Sequence, residues 1–593
     1  QTCALPIYRY KDTDGISSSE YTLEFQDLTA DLQRALQTDQ LFLVVSFDKN
    51  NVLGKFKNEM QLDGWPFIID IPQTAGLHDG QYENVLIFKY CDKALSECVG
   101  NIQFWTYPEV FNDTDLNGLP NLSSWLSEYI EDGINKFEKQ GDIDYYKFWS
   151  IVTDPSWKGL IALKVNISLT TFPAELQGLL AGINLNEFYV HHFGIDASTV
   201  KQANGNVAMS PNSSMFAMID YEDEAFRMTG GDIERYKSEA AINTNVDYEF
   251  KVLLLKVMFA NSRITDYHSY IALTVNRLFG ERVNADRENL LVLNGSYESQ
   301  DGIPSYTFSV EGDNLMKPDS QTVHNVEITK AGFVTSVSVD KKNAGMVESA
   351  FSLFGFIDFH ALEGFDMFSF GNEGEESGNQ CGLAFSNIQI TLRFPLEDPV
   401  QQIYGFATEQ ASFDMEASYV RKKSLYNHFP LQITGFVAGT PDDTPSSRGF
   451  LDVELTSLAH QQPISDYWHG LVFKLDMGSL GALANNAGFD AQLIVAWNAG
   501  GTGAAAYLKL PGVNAQAPAL NLQGVLRLDL KNIRLCMADD GVSYLMKLDD
   551  IALNFLGLSF PNKGKVGLFL FGNPSGEETS ESSLGWYGGY KKK

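Results

Sequence analysis

Asp113, Asp115 and Asn117, followed by Gly118, set two carboxylates and an amide at alternating loop positions, with a glycine to permit a sharp turn. Calcium, which takes six or more oxygen ligands, is suited by that arrangement. Leu119 adds a main-chain carbonyl and Asn121 a side-chain or water-mediated contact, so Asp113, Asp115, Asn117, Leu119 and Asn121 make up the candidate calcium site. Ser124 stands where a loop of this type carries a bidentate Glu, so coordination is complete only if Glu128 or another segment helps. The competing reading is an Asx-rich turn that caps the helix after it. A bound ion here would stiffen a junction between domains.

Cys91 and Cys98 are the one close pair among the cysteines. They flank residues 92–97 between strand-like runs at 83–90 and 100–107, which predicts a hairpin. Either a disulfide clips that turn, which suits an oxidising compartment, or the two are separate buried thiols. His191 and His192 lie on an expected strand, which would send them to opposite faces and keep them from sharing a metal. His191 with Asp196 is a possible acid–base pair; the alternative is a hydrogen-bonded structural histidine. Residues 220–224, Asp-Tyr-Glu-Asp-Glu, read as a solvated charge run, and Asp12-Thr13-Asp14-Gly15 as a turn.

No zinc or iron ligand pattern, G-x-S-x-G elbow, dinucleotide turn or P-loop is present. The glycine-rich stretch 498–503 leads into a strand-like run and reads as a loop. A carboxylate pair for glycoside hydrolysis is defined by its separation in space, which sequence does not give.

The elements that must position these groups are mostly strands. Aromatic residues make up 12% of the 593, with 40 Phe and 25 Tyr beside 50 Gly, a composition suited to pleated surfaces and tight turns. Strands are expected at 21–28, 41–47, 66–71, 85–90 and 102–107. Residues 387–394 and 526–531 alternate apolar with polar side chains, as a sheet with one buried face requires. Runs at 248–260 and 270–279 are longer, and Val252-Leu253-Leu254-Leu255 predicts cover on both faces. Firm strands are also expected at 306–310, 325–328, 333–339 and 350–359. The clearest helix is 121–137, with Leu122, Trp125, Leu126, Tyr129, Ile130, Ile134 and Phe137 on one face.

An internal duplication is suggested by Trp157-Lys158-Gly159-Leu160 against Trp468-His469-Gly470-Leu471, and later by Ile271-Ala272-Leu273-Thr274 against Ile551-Ala552-Leu553-Asn554. The expected fold is a mostly β, multidomain chain of antiparallel sandwiches and extended sheets. Its expected parts are an Ig-like sandwich at 8–110, a calcium-type loop and helix at 111–143, copy A at 144–285, a middle module at 286–450 and copy B at 451–593. Residues 1–7 back-translate as the end of a sequencing adapter, so they are expected to be an artefact on a fragment of a larger protein. The wording of 259–262 and 273–280 resembles large bacterial multidomain proteins, a resemblance that implies no activity.

Asp and Glu outnumber Lys and Arg by 75 to 43, a formal charge of -32, which repels phosphate backbones and disfavours a nucleic-acid partner. No apolar run reaches the length of a membrane span. The first functional expectation is a non-enzymatic structural or adhesive protein, extracellular or at a cell surface, meeting a protein or glycan surface. The second is a carbohydrate-active enzyme or carbohydrate-binding module, with Trp105, Trp149, Trp468, Trp497 and Trp586 as sugar platforms to test. The third is a carrier of lipid or another apolar ligand.

Overall fold

The structure is a computed structural model. It describes residues 29–45, 85–105, 122–167, 172–183, 190–196, 214–261, 263–284, 289–300, 303–311, 314–337, 346–361, 366–372, 381–396, 398–456, 462–476, 491–499, 503–510, 532–537 and 544–549, together with isolated strands outside these runs. The chain is mostly β and multidomain, with several antiparallel sheets. The five candidate calcium ligands, Asp113 to Asn121, lie outside the described residues.

The first sheet has 11 strands. From one edge it runs Ile303–Glu311, Leu290–Gln300, Arg263–Val275, Tyr248–Ala260, Ser214–Glu222, Val190–Asp196 and Gly159–Ile167. There it forks. Leu86–Cys91 pairs with one end of Gly159–Ile167 and is followed by Gln40–Val45, while Trp65–Asp70 pairs with the other end and is followed by Lys57–Leu62. The sheet thus crosses the boundaries expected at 110, 143 and 285. Within the expected sandwich Glu20–Glu24 pairs with Ile7–Lys11, and through Glu24 it also meets Asn206–Met209 far outside it. Strand pairing is indifferent to sequence separation, and the composition change near 121 accompanies helices laid on the sheet.

Helices cover the outer face of this sheet in two places. Ala30–Gln37 (α1) precedes the strand Gln40–Val45. Leu95–Val99 (α2), Leu122–Glu138 (α3) and Tyr146–Thr153 (α4) pack together over the forked end. The expected face of α3 is the buried one: Leu122, Trp125, Leu126 and Ile130 are all under 9% exposed, and each such side chain contributes about 1.5–3 kcal/mol by leaving water. Glu224–Met228 (α5) and Ile233–Glu239 (α6) cover the other end, where Phe226 and Tyr236 rest on Leu253 and Leu254. Val252 and Leu255 point into the main core. Cover on both faces, read from Val252-Leu253-Leu254-Leu255, is what the strand has.

The second sheet contains Val323–Val337, Met346–Phe359, Leu383–Pro395 and Ile403–Ala407. It packs on the inner face of the first: the Phe250 ring is parallel to Phe333 and 5.4 Å from Phe351. Expected strands at 325–328 and 333–339 are one continuous strand. The third sheet, of nine strands, begins Leu431–Gly439, Trp468–Leu475, Ala491–Asn498, Ala504–Lys509 and Leu451–Thr456. Its Trp497, fully buried, meets Phe359 of the second sheet and Phe368 of the connection that follows that strand at 5.8 and 5.6 Å. One apolar core therefore runs through all three sheets.

Trp157-Lys158-Gly159-Leu160 and Trp468-His469-Gly470-Leu471 both lead into a central strand followed by antiparallel neighbours. The two topologies share that meander and then part. Ile271 lies on a first-sheet strand, whereas residues 552–555 belong to a separate four-stranded sheet.

Candidate functional site

A short hairpin places the site. Arg277–Leu278 pairs with Glu281–Arg282 through a two-residue turn, with Phe279 at φ 50° and Gly280 at φ 77°. Positive φ at both turn residues is the geometry whose twist matches a tight hairpin, and it costs a side-chain-bearing residue such as Phe279 of order 1–3 kcal/mol. Packing offsets that cost. The Phe279 ring, 1% exposed, is 5.2 Å from Phe436, 5.4 Å from Phe406 and 6.3 Å from Trp497. A separate two-stranded hairpin, following directly on the first-sheet strand Arg263–Val275, thus plugs into the seam between the second and third sheets.

Main-chain and amide bonds hold its base. Asn276 donates from Nδ2 to the carbonyls of Asn243 and Val246 and accepts from Asn289 through Oδ1. The Asp319 amide donates to the Arg282 carbonyl at 2.6 Å, tying in the chain before the second sheet. On the third sheet, Asn498 Oδ1 accepts from the amides of Ser465 and Asp466, which fixes the loop carrying Asp466 and Tyr467.

Around the plug lies a cleft of about 670 Å³. Its wall gathers Asp247 just before the first-sheet strand Tyr248–Ala260, Arg277 and Glu281 of the hairpin, Tyr404 and Phe406 of the second sheet, Asp466 and Tyr467 of the loop before the third-sheet strand Trp468–Leu475 and His469 on that strand, with Arg282 and Asp319 at the hairpin base. Asp247, Asp319 and Asp466 are exposed and Glu281 is buried. Asp247 Oδ1 is 3.1 Å from Arg277 Nε, an ionic contact without the alignment of a hydrogen bond. The Tyr404 hydroxyl accepts from the Phe250 amide and donates to Gln402, and burial pushes its pKa up. Tyr467 is 61% exposed.

His469 forms the floor. It is 8% exposed, packed among Phe279, Phe406, Phe436 and Trp497, and its Nδ1 has no hydrogen-bond partner among the described residues. Burial pushes its pKa down to about 4. The imidazole is neutral at physiological pH and can donate or accept one hydrogen bond.

The cleft offers carboxylate acceptors, guanidinium donors, phenol rings and an uncharged imidazole. Four carboxylates face two guanidinium groups, so an anion is disfavoured and an uncharged polyol can be hydrogen-bonded from several sides. Among the described residues no cluster of His, Cys, Asp and Glu is arranged to hold a metal ion.

The other groups singled out in the sequence lie elsewhere. His192 takes φ 53° at a bulge, stacks 3.8 Å from Phe148 and shares a 2.9 Å hydrogen bond with the Tyr129 hydroxyl. It is a structural histidine beneath α3 and α4, held uncharged because burial lowers its pKa. Asp196 lies 3.8 Å from Lys147. The charge run 220–224 is not merely solvated. Asp220 and Asp144 flank Lys256, Asp223 caps α5 and pairs with Lys251 at 2.9 Å, and burial followed by Asp220 raises the pKa of Glu222. Strand register next to the helical cap half-buries Asp220, Glu222 and Asp223, while Glu224 stays exposed.

Trp105, Trp468 and Trp497 are core residues. Trp149 is half-buried, with its ring between Phe137 and Tyr146. The side chain of Trp586 lies outside the described residues. The hairpin expected around Cys91 and Cys98 is replaced by a strand that ends at Cys91 and a helix that holds Cys98, followed by a 3-10 turn at Ile102–Phe104. Residues 102–107 have strand-like composition, but the Trp105 indole turns inward to donate to the Cys98 carbonyl.

No protein family, curated protein or solved structure matches the chain. Among the described residues no helix is long and apolar enough to cross a membrane.

Proposed function

We propose that this chain is a non-enzymatic adhesive β protein that binds an uncharged glycan in the cleft where its three sheets meet. The observation that carries the reading is the composition of that cleft: an exposed tyrosine, Tyr467, beside Asp466, Asp247, Arg277, Arg282 and Asp319, in a space of about 670 Å³. Carboxylates and guanidinium groups engage sugar hydroxyls, and an aromatic face covers the apolar side of a sugar ring. The formal charge of -32 argues against sulfated or phosphorylated ligands. A rigid seam between sheets provides the preorganised wall that a weak polar ligand requires. An exported or cell-surface location, where such glycans are met, belongs to the same proposal.

The test is calorimetric titration of the full chain with a panel of neutral oligosaccharides, alongside Tyr467→Ala and Asp466→Asn. Saturable binding by the wild-type chain, weakened at least about ten-fold in Tyr467→Ala, is expected, a loss of about 1.4 kcal/mol. Absence of binding across the panel, or binding untouched by both substitutions, would overturn the reading. Release of new reducing ends from a bound oligosaccharide would replace it with a carbohydrate-active enzyme.

A further inference from the structure

Beneath the cap formed by α2, α3 and α4 lies a cluster that the cleft does not use. Cys91 ends the strand Leu86–Cys91, and Cys98 sits on α2 seven residues later. The strand-to-helix turn brings their sulfurs to 3.8 Å, both side chains being buried. Beside them Lys89 is fully buried, and its Nζ donates to the main-chain carbonyls of Cys91, Pro155 and Trp157. Three neutral carbonyls hydrogen-bond an ammonium group but leave its charge uncancelled. Burial pushes the Lys89 pKa down, and Cys91, Cys98 and then Asp154 work against that shift.

We propose that Cys91 and Cys98 form an oxidisable dithiol that reacts with a small disulfide of the glutathione class, with Cys91 as the attacking thiolate and Lys89 as the charge beside it. A buried lysine has little reason to sit among carbonyls unless an anion forms next to it. The two sulfurs are already in contact, and small side-chain rotations bring them towards bonding distance. The hydrogen bond from Cys98, then Lys89, pull the pKa of Cys91 down against the effect of burial, while that of Cys98 is pushed up. Lys89 Nζ, bonded to the Cys91 carbonyl at 3.1 Å, stands at the Cys91 end of the pair, so the roles are unequal and Cys91 loses its proton first.

The exchange balances without a metal or a cofactor. The Cys91 thiolate attacks one sulfur of the small disulfide, forms a mixed disulfide and expels one small thiolate. Cys98 passes its proton to that thiolate and attacks the Cys91 sulfur, which expels the second small thiolate, and this takes up the proton that Cys91 released on ionising. Two protein thiols are oxidised, and one small disulfide is reduced to two thiols. The new bond ties the strand end to α2. Through the Trp105 indole on the Cys98 carbonyl and the Ser123 hydroxyl on the Val99 carbonyl, it also anchors the start of α3.

The experiment treats the full chain with oxidised glutathione, quenches with an alkylating agent and maps the cysteine peptides by mass. The wild-type chain is expected to yield one peptide pair crosslinked through Cys91 and Cys98. Cys98→Ser is expected to retain glutathione on Cys91, and Cys91→Ser to modify Cys98 at least about ten-fold more slowly. In Cys98→Ser, the pH midpoint for alkylation of Cys91 should lie below that of Cys381, whose thiol is pushed up by burial, and Lys89→Met should raise it. If Lys89→Met does not fold, the comparison with Cys381 within one chain decides. Two fully alkylated thiols in the oxidised native chain, or glutathione settling on Cys98 in preference to Cys91, would overturn the proposal.

Discussion

The hairpin plug predicts a specific response to adding one methyl group. A Cβ built on Gly280 would stand 2.3 Å from the Cβ of Ala499, well over 1 Å inside ordinary carbon contact. Gly280 also holds φ 77°, where a side chain costs about 1–2 kcal/mol. Overpacking adds about 1–3 kcal/mol, so Gly280→Ala should destabilise the chain by about 2–5 kcal/mol. Gly230 is the control: its φ is 71° and nothing lies within 4 Å of an added Cβ. Gly230→Ala should therefore show the backbone cost alone, about 1–2 kcal/mol. Denaturant unfolding of both variants, followed by tryptophan fluorescence, measures the difference. Ala499→Gly in the Gly280→Ala background should recover the contact part and leave the backbone part, with the double-mutant cycle isolating it. Equal losses for the two glycines, or no recovery with Ala499→Gly, would refute the docking of this hairpin against the third sheet. Because the hairpin carries Arg277, Glu281 and Arg282, ligand binding should weaken in Gly280→Ala and remain unchanged in Gly230→Ala.

The remaining predictions concern the cleft floor, the helical cap and the calcium loop. His469 has a folded pKa of about 4 against an ordinary value of 6.5. Its depressed pKa means that the unfolded chain binds the proton first, so its contribution is present above pH 6.5 and is lost as pH falls towards 4. That loss amounts to roughly 3 kcal/mol, and His469→Gln should flatten the stability profile over that window by a comparable amount in denaturant titrations. At Gly133 of α3, an added Cβ would meet the Phe148 ring of α4 at 2.3 Å. Gly133→Ala should thus lower stability by about 1–3 kcal/mol despite alanine's better helix propensity, and a gain in midpoint would contradict the packing of α3 on α4. If Asp113, Asp115, Asn117, Leu119 and Asn121 hold calcium, millimolar calcium should raise the thermal midpoint relative to chelator and Asp115→Ala should abolish the rise; an unchanged midpoint would sink the site.

Much of the secondary structure was legible because periodicity is a local property. The strand Tyr248–Ala260 has the bounds its composition predicts, and α3 begins and ends within one residue of the apolar stripe. The short helices α1, α2, α4, α5 and α6 leave no such signal, since five to eight residues hold too few turns to show a period. The cleft was not legible. Its walls come from residues near 247, 277–282, 319, 404–406 and 466–469, and no local pattern connects them. A signal was present in Leu278-Phe279-Gly280-Glu281, a bulky apolar residue before a glycine between charged neighbours, which is unusual in a solvent-facing turn.

Sequence alone determined that this chain builds sheets, that 121–137 is an amphipathic helix and that Cys91 and Cys98 are close along the chain, because propensity, periodicity and spacing act over a few residues. Tertiary structure decided which strands meet. It carried the first sheet across expected domain edges, half-buried Asp220, Glu222 and Asp223 and aimed the hairpin's Phe279 into the seam between two other sheets. It also gathered the cleft beside that hairpin. Those outcomes depend on contacts between residues separated by tens to hundreds of positions, where the free energy lies in the fit of surfaces and not in the local preference of any segment.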